Sequence, residues 1–132
     1  MRETKFKVWC SANNRWAEDV CSLRSTGVLL RKMSGRWLPV NMENHHIQLF
    51  TGLTDSKGTE IYEGDIVRIR PLEYGYDWHI HRVAYCSHMG YPAFDLFPRL
   101  DCEANGFSCA MATCEIEVIG NIFENPELMC SE

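Results

Sequence analysis

The sequence predicts a mainly β protein, a small barrel or sandwich of short strands, and three observations carry that expectation. Apolar and polar residues alternate with period two in one short run after another. Clusters of Gly, Asn, Asp, Ser and Pro separate these runs at intervals of about eight to twelve residues, the spacing of an all-β domain. No long stretch shows the 3.6-residue recurrence of an amphipathic helix.

In chain order, Lys5-Phe6-Lys7-Val8 alternates cleanly, and Asn13-Asn14 reads as the tip of a hairpin returning through Trp16. Gly27 to Lys32 and Arg36 to Val40 flank Ser34-Gly35, a second turn signal. Ile47 to Phe50 is a short apolar strand. Turns are then expected at Thr51-Gly52, Asp55-Ser56-Lys57-Gly58 and Glu63-Gly64, with Leu53, Ile61 and Tyr62 as anchors between them. Asp65 to Arg70 alternates, but Ile66 and Val67 stand on opposite faces: either one points out or the strand is covered on both sides. Pro71 ends it. His79 to Tyr85 and Ala93 to Phe97 are strand candidates joined through Gly90-Tyr91-Pro92. Glu115 to Val118 is a further strand, Gly120-Asn121 a kink, and Asn125-Pro126 an N-cap with proline at the first position of a short closing turn of helix.

The chain has 132 residues, 45% of them hydrophobic and 23% charged, the balance of one ordinary globular domain that needs no disulfide to fold. No apolar run approaches the ~18 residues of a membrane-spanning helix. Arg2, Glu3, Lys5 and Lys7 interrupt the N-terminus where a secretory signal would be continuously apolar, so the expected address is cytoplasmic, with no membrane.

Seven cysteines, Cys10, Cys21, Cys86, Cys102, Cys109, Cys114 and Cys130, include no Cys-x-x-Cys pair. An odd, irregularly spaced set points to free thiols in a reducing compartment. A zinc site would draw on Cys102, Cys109 and Cys114 with His79, His81 or His88. Its spacings are loose for metal-binding turns, so neither a metal nor any other cofactor is expected. His79 and His81 share a face if they lie on a strand, where two exposed histidines on an edge are the commoner case. His45 and His46 would point apart. Glu60, Glu63 and Asp65 cluster as acid–base carboxylates do, yet they sit on a Gly-rich turn where acids cap and solvate. No phosphate loop, nucleophile elbow, metalloprotease or dinucleotide fingerprint occurs, and no catalytic residue is assigned.

Charge is split along the chain. Met1 to Val40 holds eight Lys or Arg against three acids, and the remainder five against fifteen, so a front of +5 precedes a back of −10 within a net −5. Complementary signs of this kind suit packing of the two regions within one chain, a head-to-tail contact between copies or an exposed basic face on an acidic body, beside the plain alternative of solvated surface with no partner.

Two phrases stand out. Gln48 to Val67 reads Gln-Leu-Phe-Thr-Gly-Leu-Thr-Asp-Ser-Lys-Gly-Thr-Glu-Ile-Tyr-Glu-Gly-Asp-Ile-Val, and Glu117 to Leu128 reads Glu-Val-Ile-Gly-Asn-Ile-Phe-Glu-Asn-Pro-Glu-Leu. With the opening Lys5-Phe6-Lys7-Val8-Trp9 they resemble the signature of the YopX family, small proteins of bacteriophages, prophages and their hosts. Cys10 departs from it, standing where the family usually has an acid, and 13–46 and 72–113 carry no family phrase. The resemblance implies a Src-homology-3-like small barrel with an additional N-terminal β-hairpin layer. Residues 1–46 would form the layer and 47–128 the barrel and C-terminal turn, with Phe50 to Phe123 holding the barrel itself. It implies no biochemical activity.

The expected function is therefore a non-enzymatic interaction protein, binding a protein partner or its own copies, with a dimer as the commonest closed form. Trp16, Trp37, Tyr74, Tyr76 and Trp78 are the aromatics suited to an interface. The alternative is a nucleic-acid-binding module using the basic front, against which a pI near 5.5 weighs.

Overall fold

The structure, a computed structural model, describes residues 6–17, 21–23, 29–41, 43–73, 77–85, 93–98, 100 and 105–130. Its contacts form two units, a front unit Phe6–Gln48 and a rear unit beginning at Leu49.

In the front unit, β1 (Phe6–Cys10) turns back into β2 (Arg15–Trp16) through Asn14, which adopts φ 53°. Asparagine tolerates that left-handed conformation better than most residues, which is why the Asn13-Asn14 signal works. Trp9 and Trp16 face each other across the hairpin with rings edge to face at 5.2 Å, and Val8, Trp9 and Cys10 are buried. The start of β6 (His45–Thr54) lies beside β1, and Ser11 N–H donates to the Asn44 carbonyl at 2.9 Å. A separate three-stranded sheet runs β3 (Cys21–Leu23), β4 (Leu29–Met33) and β5 (Arg36–Pro39) in that order. Ser34 and Gly35 both have positive φ, 51° and 78°, the requirement of a type I′ turn, whose twist matches that of the strands it joins.

In the rear unit, the later half of β6 pairs with β7 (Glu60–Tyr62), and the register shifts between Phe50 and Thr54. Thr51-Gly52 is thus not a turn: Gly52, at φ 88°, is a bulge inside a ten-residue strand. β8 (Asp65–Pro71), β9 (His79–Tyr85), β10 (Phe94–Phe97) and β11 (Cys114–Asn121) form a sheet in the order β10-β9-β8-β11. Ile66 and Val67 are both fully buried, so β8 is covered on both faces. The core joins Ile61, Val67, Ile69, Val83, Leu96, Phe107, Ala110 and Ile116. A register shift between Val118 and Gly120 supplies the expected kink.

The class is mainly β, with a curled half-barrel sheet. The ladders among the described residues do not confirm the closed ring of a Src-homology-3 barrel. The turn expected at Gly90-Tyr91-Pro92 lies outside the described residues except for its approach to Ala93.

Two local expectations need correction. Gly106–Thr113 forms a helix, α1, where no helix is expected from the sequence. It is only eight residues long, so no sustained period could reveal it. Asn105 caps it, its Oδ1 accepting the Ser108 N–H at 2.9 Å. Asp95 Oδ1 accepts the Phe107 N–H at 3.1 Å, satisfying a second orphan donor of the first turn. At the chain's end Pro126–Cys130 is a 3₁₀ turn, but Asn125 does not cap it with its side chain. Asn125 Oδ1 accepts the Asn121 N–H at 3.2 Å, folding the segment back on β11.

Candidate functional site

The two phrases meet in the rear unit. Asp65, buried, accepts the Tyr62 N–H at 2.7 Å on one oxygen and the Asn121 side-chain amide at 3.0 Å on the other. Ile122 N–H donates to the Gly64 carbonyl at 2.9 Å. Asp55, also buried, accepts the N–H groups of Lys57, Thr59 and Val118, each at 2.9 Å. Gly120 closes the join, because a Cβ there would lie 2.7 Å from Asn125 Oδ1 and 2.9 Å from Leu128 Cδ1. The carboxylate cluster is therefore a turn-and-strand lock. Asp65 serves the backbone and Asn121, and Glu60 accepts the Tyr62 hydroxyl at 3.3 Å.

A second cluster lies along β8 and β11. Arg68 stands opposite Glu117 and Arg70 opposite Glu115, and each pair forms an ion pair, Arg70 to Glu115 at 2.8 Å. Lys57 adds a contact to Glu117 at 2.7 Å. The Lys57 hydrogen bond, with that of Arg68, holds the Glu117 carboxyl below its ordinary range, and Glu117 in turn raises Lys57. Trp78 stacks on both guanidiniums, with centroid distances of 4.2 and 4.4 Å. Arg and Glu alternating with Ile on two separate strands are visible in the sequence, but only the register reveals them as pairs.

Histidine and thiol candidates are dispersed. β9 lies between β8 and β10, so His79 and His81 are not on an edge strand. His79 is exposed and His81 buried. Pro98 O can only accept, so His81 Nδ1 carries the proton it donates at 2.6 Å, and its Nε2 is buried with no partner among the described residues. Burial lowers the His81 pKa, against a smaller opposing effect of the Pro98 hydrogen bond. His45 donates from Nδ1 to the Asn41 carbonyl at 2.8 Å, leaving Nε2 toward Arg31 at 3.4 Å. Cys109 lies in α1 and Cys114 opens β11, both half-buried, whereas Cys102 and His88 lie outside the described residues. Among the described residues no three His, Cys, Asp or Glu side chains are grouped to hold a metal. No helix among them is long and apolar enough to cross a membrane.

Of the interface aromatics, Trp16 packs on Trp9 and carries Lys7 at 5.6 Å, and Trp78 is engaged by arginines. Tyr74 and Tyr76 lie outside the described residues. Trp37 differs: it is 40% exposed and its neighbour Leu38 42%. All four residues of β5 are exposed, and β5 is the edge of its sheet. Val40 N–H donates to the Leu29 carbonyl at 3.1 Å, which makes 29/40 a hydrogen-bonded pair and, by alternation, 31/38 and 33/36 likewise. Trp37 and Pro39 therefore turn their backbone groups away from β4, and Pro39 has no N–H to offer there. On one face of the hairpin Lys32, Trp37 and Pro39 stand exposed beside half-buried Leu30. On the other Leu29 is buried and Arg31 meets His45.

The rear unit holds an open cavity of about 310 Å³, lined by Thr51, Leu53, Ala93, Phe94, Asn105, Phe107 and Ser108. The sequence singles out none of these as a site residue, since strand, loop and helix contribute to the cavity together.

A family profile described as YopX protein matches residues 5–130 of the chain. The fold is similar to that of protein EF1440 from Enterococcus faecalis, with TM-score 0.63 and 23% identity over 98% of this chain and 99% of that one. It is also similar to protein yopX from Bacillus subtilis, with TM-score 0.60 and 25% identity over 97% and 98% of the two chains. No curated protein matches.

Proposed function

Since the chain belongs to the YopX protein family, we propose that it is a phage- or prophage-associated, non-enzymatic interaction protein that binds a protein partner through the β4–β5 hairpin. The observation that carries this reading is the exposed edge strand itself. An edge with Trp37 and Leu38 both about two-fifths exposed is apolar surface at a position where pairing groups are also open. Tryptophan is over-represented among residues that dominate binding energy, and Lys32, its cross-strand neighbour on the same face, sets a positive charge beside it. Two of the carboxylates that invite a catalytic role, Asp65 and Glu60, are engaged in backbone and side-chain hydrogen bonds, which favours the non-enzymatic reading. The free thiols of Cys10 and Cys114 support a cytoplasmic address.

A photo-crosslinking residue at position 37, introduced in the host cell, tests the hairpin. The expected product is a covalent adduct with a protein, strongly reduced when Leu38 and Lys32 are replaced by alanine. Crosslinks to nucleic acid, together with a gel shift at low salt, would replace this reading with the nucleic-acid one. A crosslink pattern indifferent to Leu38 and Lys32 would remove the hairpin as the surface.

A further inference from the structure

The rear unit holds a mostly apolar cavity, and the two units carry opposite charge. Its volume, about 310 Å³, sits at the floor of the ~300–1,000 Å³ range of small-molecule sites. That is room for one aromatic side chain and little more. The walls are Leu53, Ala93, Phe94 and Phe107. Its polar members are mostly committed: Thr51 Oγ1 donates to the Ile61 carbonyl at 2.7 Å and accepts the Leu53 N–H at 3.2 Å. Asn105 caps α1 with its oxygen and donates from Nδ2 to the Phe94 carbonyl at 2.9 Å. The Ser108 hydroxyl has no hydrogen-bond partner among the described residues. The complementary occupant is an apolar ring with a single donor, which describes an indole.

Charge selects where that indole comes from. Residues 6–48 hold six Lys or Arg and three acids, and residues 1–5 with 49–132 hold seven and fifteen, so the two units carry +3 and −8 within the net −5. We propose that Trp37 of one copy seats in the Leu53–Phe94–Phe107 cavity of a second copy, its indole N–H donating to Ser108 Oγ. The proposal rests on the hairpin being the interaction surface. Edge-to-edge pairing of two β5 strands is the weaker arrangement, since each edge brings the positive charge of Arg36 and the ladder breaks at Pro39, which has no N–H. Docking a basic hairpin on an acidic unit joins unlike charges instead. Exchanged reciprocally, the contact closes as a dimer; made once per copy, it extends into a chain.

Light scattering at micromolar concentration, with complementation between variants, tests it. Wild type is expected above the 15.3 kDa of one chain, with association slowed by salt. Trp37→Ala removes the ring and Leu53→Arg places a cation at the cavity; each alone should run as a monomer. Mixed in equal amounts they should form a one-to-one heterodimer, because one copy retains the cavity and the other the tryptophan. Ser108→Ala should weaken association about fivefold, the equivalent of one neutral hydrogen bond of about 1 kcal/mol. Circular dichroism checks the fold of Leu53→Arg, and Ser108→Trp, at an exposed helix position, blocks the cavity independently. A wild-type protein at single-chain mass, a Trp37→Ala variant that still associates, or a mixture that stays monomeric would each overturn the proposal. In the first case, a crosslink from position 37 to a different protein would leave the hairpin reading standing, so the two fail separately.

Discussion

Gly64 passes the chain from β7 to β8 at φ 86°, with its N–H on the Val83 carbonyl at 2.7 Å and its own carbonyl held by Ile122. A β-branched side chain is poorly accommodated at that angle, so Gly64→Val should cost about 1–3 kcal/mol. A urea titration checks it, and an unchanged midpoint would mean that the turn carries no strain. At His81 the expected readout is pH dependence. The unfolded imidazole titrates near its ordinary 6.5, while burial holds the folded one lower. Between those values the unfolded state binds more protons, so stability is complete above pH 6.5 and falls as pH drops toward the folded pKa, by at most about 1.4 kcal/mol per unit. Protonation would also put an N–H on Nε2, which is buried with no partner among the described residues. Urea midpoints at neutral and mildly acidic pH should therefore converge in His81→Gln; a wild type that shows no such loss contradicts the assignment.

α1 depends on its entrance. Asn105 links three groups, its own backbone, the Ser108 N–H and the Phe94 carbonyl, so it holds the helix against β10 as well as capping it. Asn105→Ala should destabilise by about 1–2 kcal/mol, and Asn105→Asp, which retains the acceptor and loses the donor, by less. Thermal unfolding ranks the pair, and equal midpoints would show the Phe94 contact to be idle. The β8–β11 ladder behaves differently, because its arginines are about 40% exposed and solvent weakens each pair. Glu117, held below its ordinary 4.5, contributes fully above that pH and loses its contribution as pH falls through the folded value. Acid should thus act on this protein in two stages, His81 first and Glu117 second.

For the whole molecule, seven irregularly spaced cysteines with no Cys-x-x-Cys pair predict that protein purified under reducing conditions contains no stoichiometric zinc. Elemental analysis giving one zinc per chain would overturn that and direct attention to Cys102, Cys109 and Cys114. Cys10 is buried and Cys109 and Cys114 half-buried, so a thiol reagent should modify Cys10 more slowly than those two in the native state.

Much of this architecture is legible in the sequence because its signals are local. Asn14 and Ser34-Gly35 are residues that accept positive φ, so their hairpins come from residue type alone, and the alternation of 79–85 sets β9 without reference to any partner. The sequence also carries the family, since the two phrases and the N-terminal strand are read directly. It could not reveal α1, whose two turns rest on Asp95 and Asn105 reaching from neighbouring backbone. Nor could it reveal the role of Asn125, whose side chain turns back to β11 instead of capping the 3₁₀ turn at Pro126–Cys130. Trp37, Trp16 and Trp78 are likewise one residue type with different neighbours: a second indole for Trp16, two guanidiniums for Trp78, open surface for Trp37. Turn and strand preferences belong to a residue and its immediate backbone, whereas burial, ion pairing and cavity shape exist only after residues distant along the chain have met.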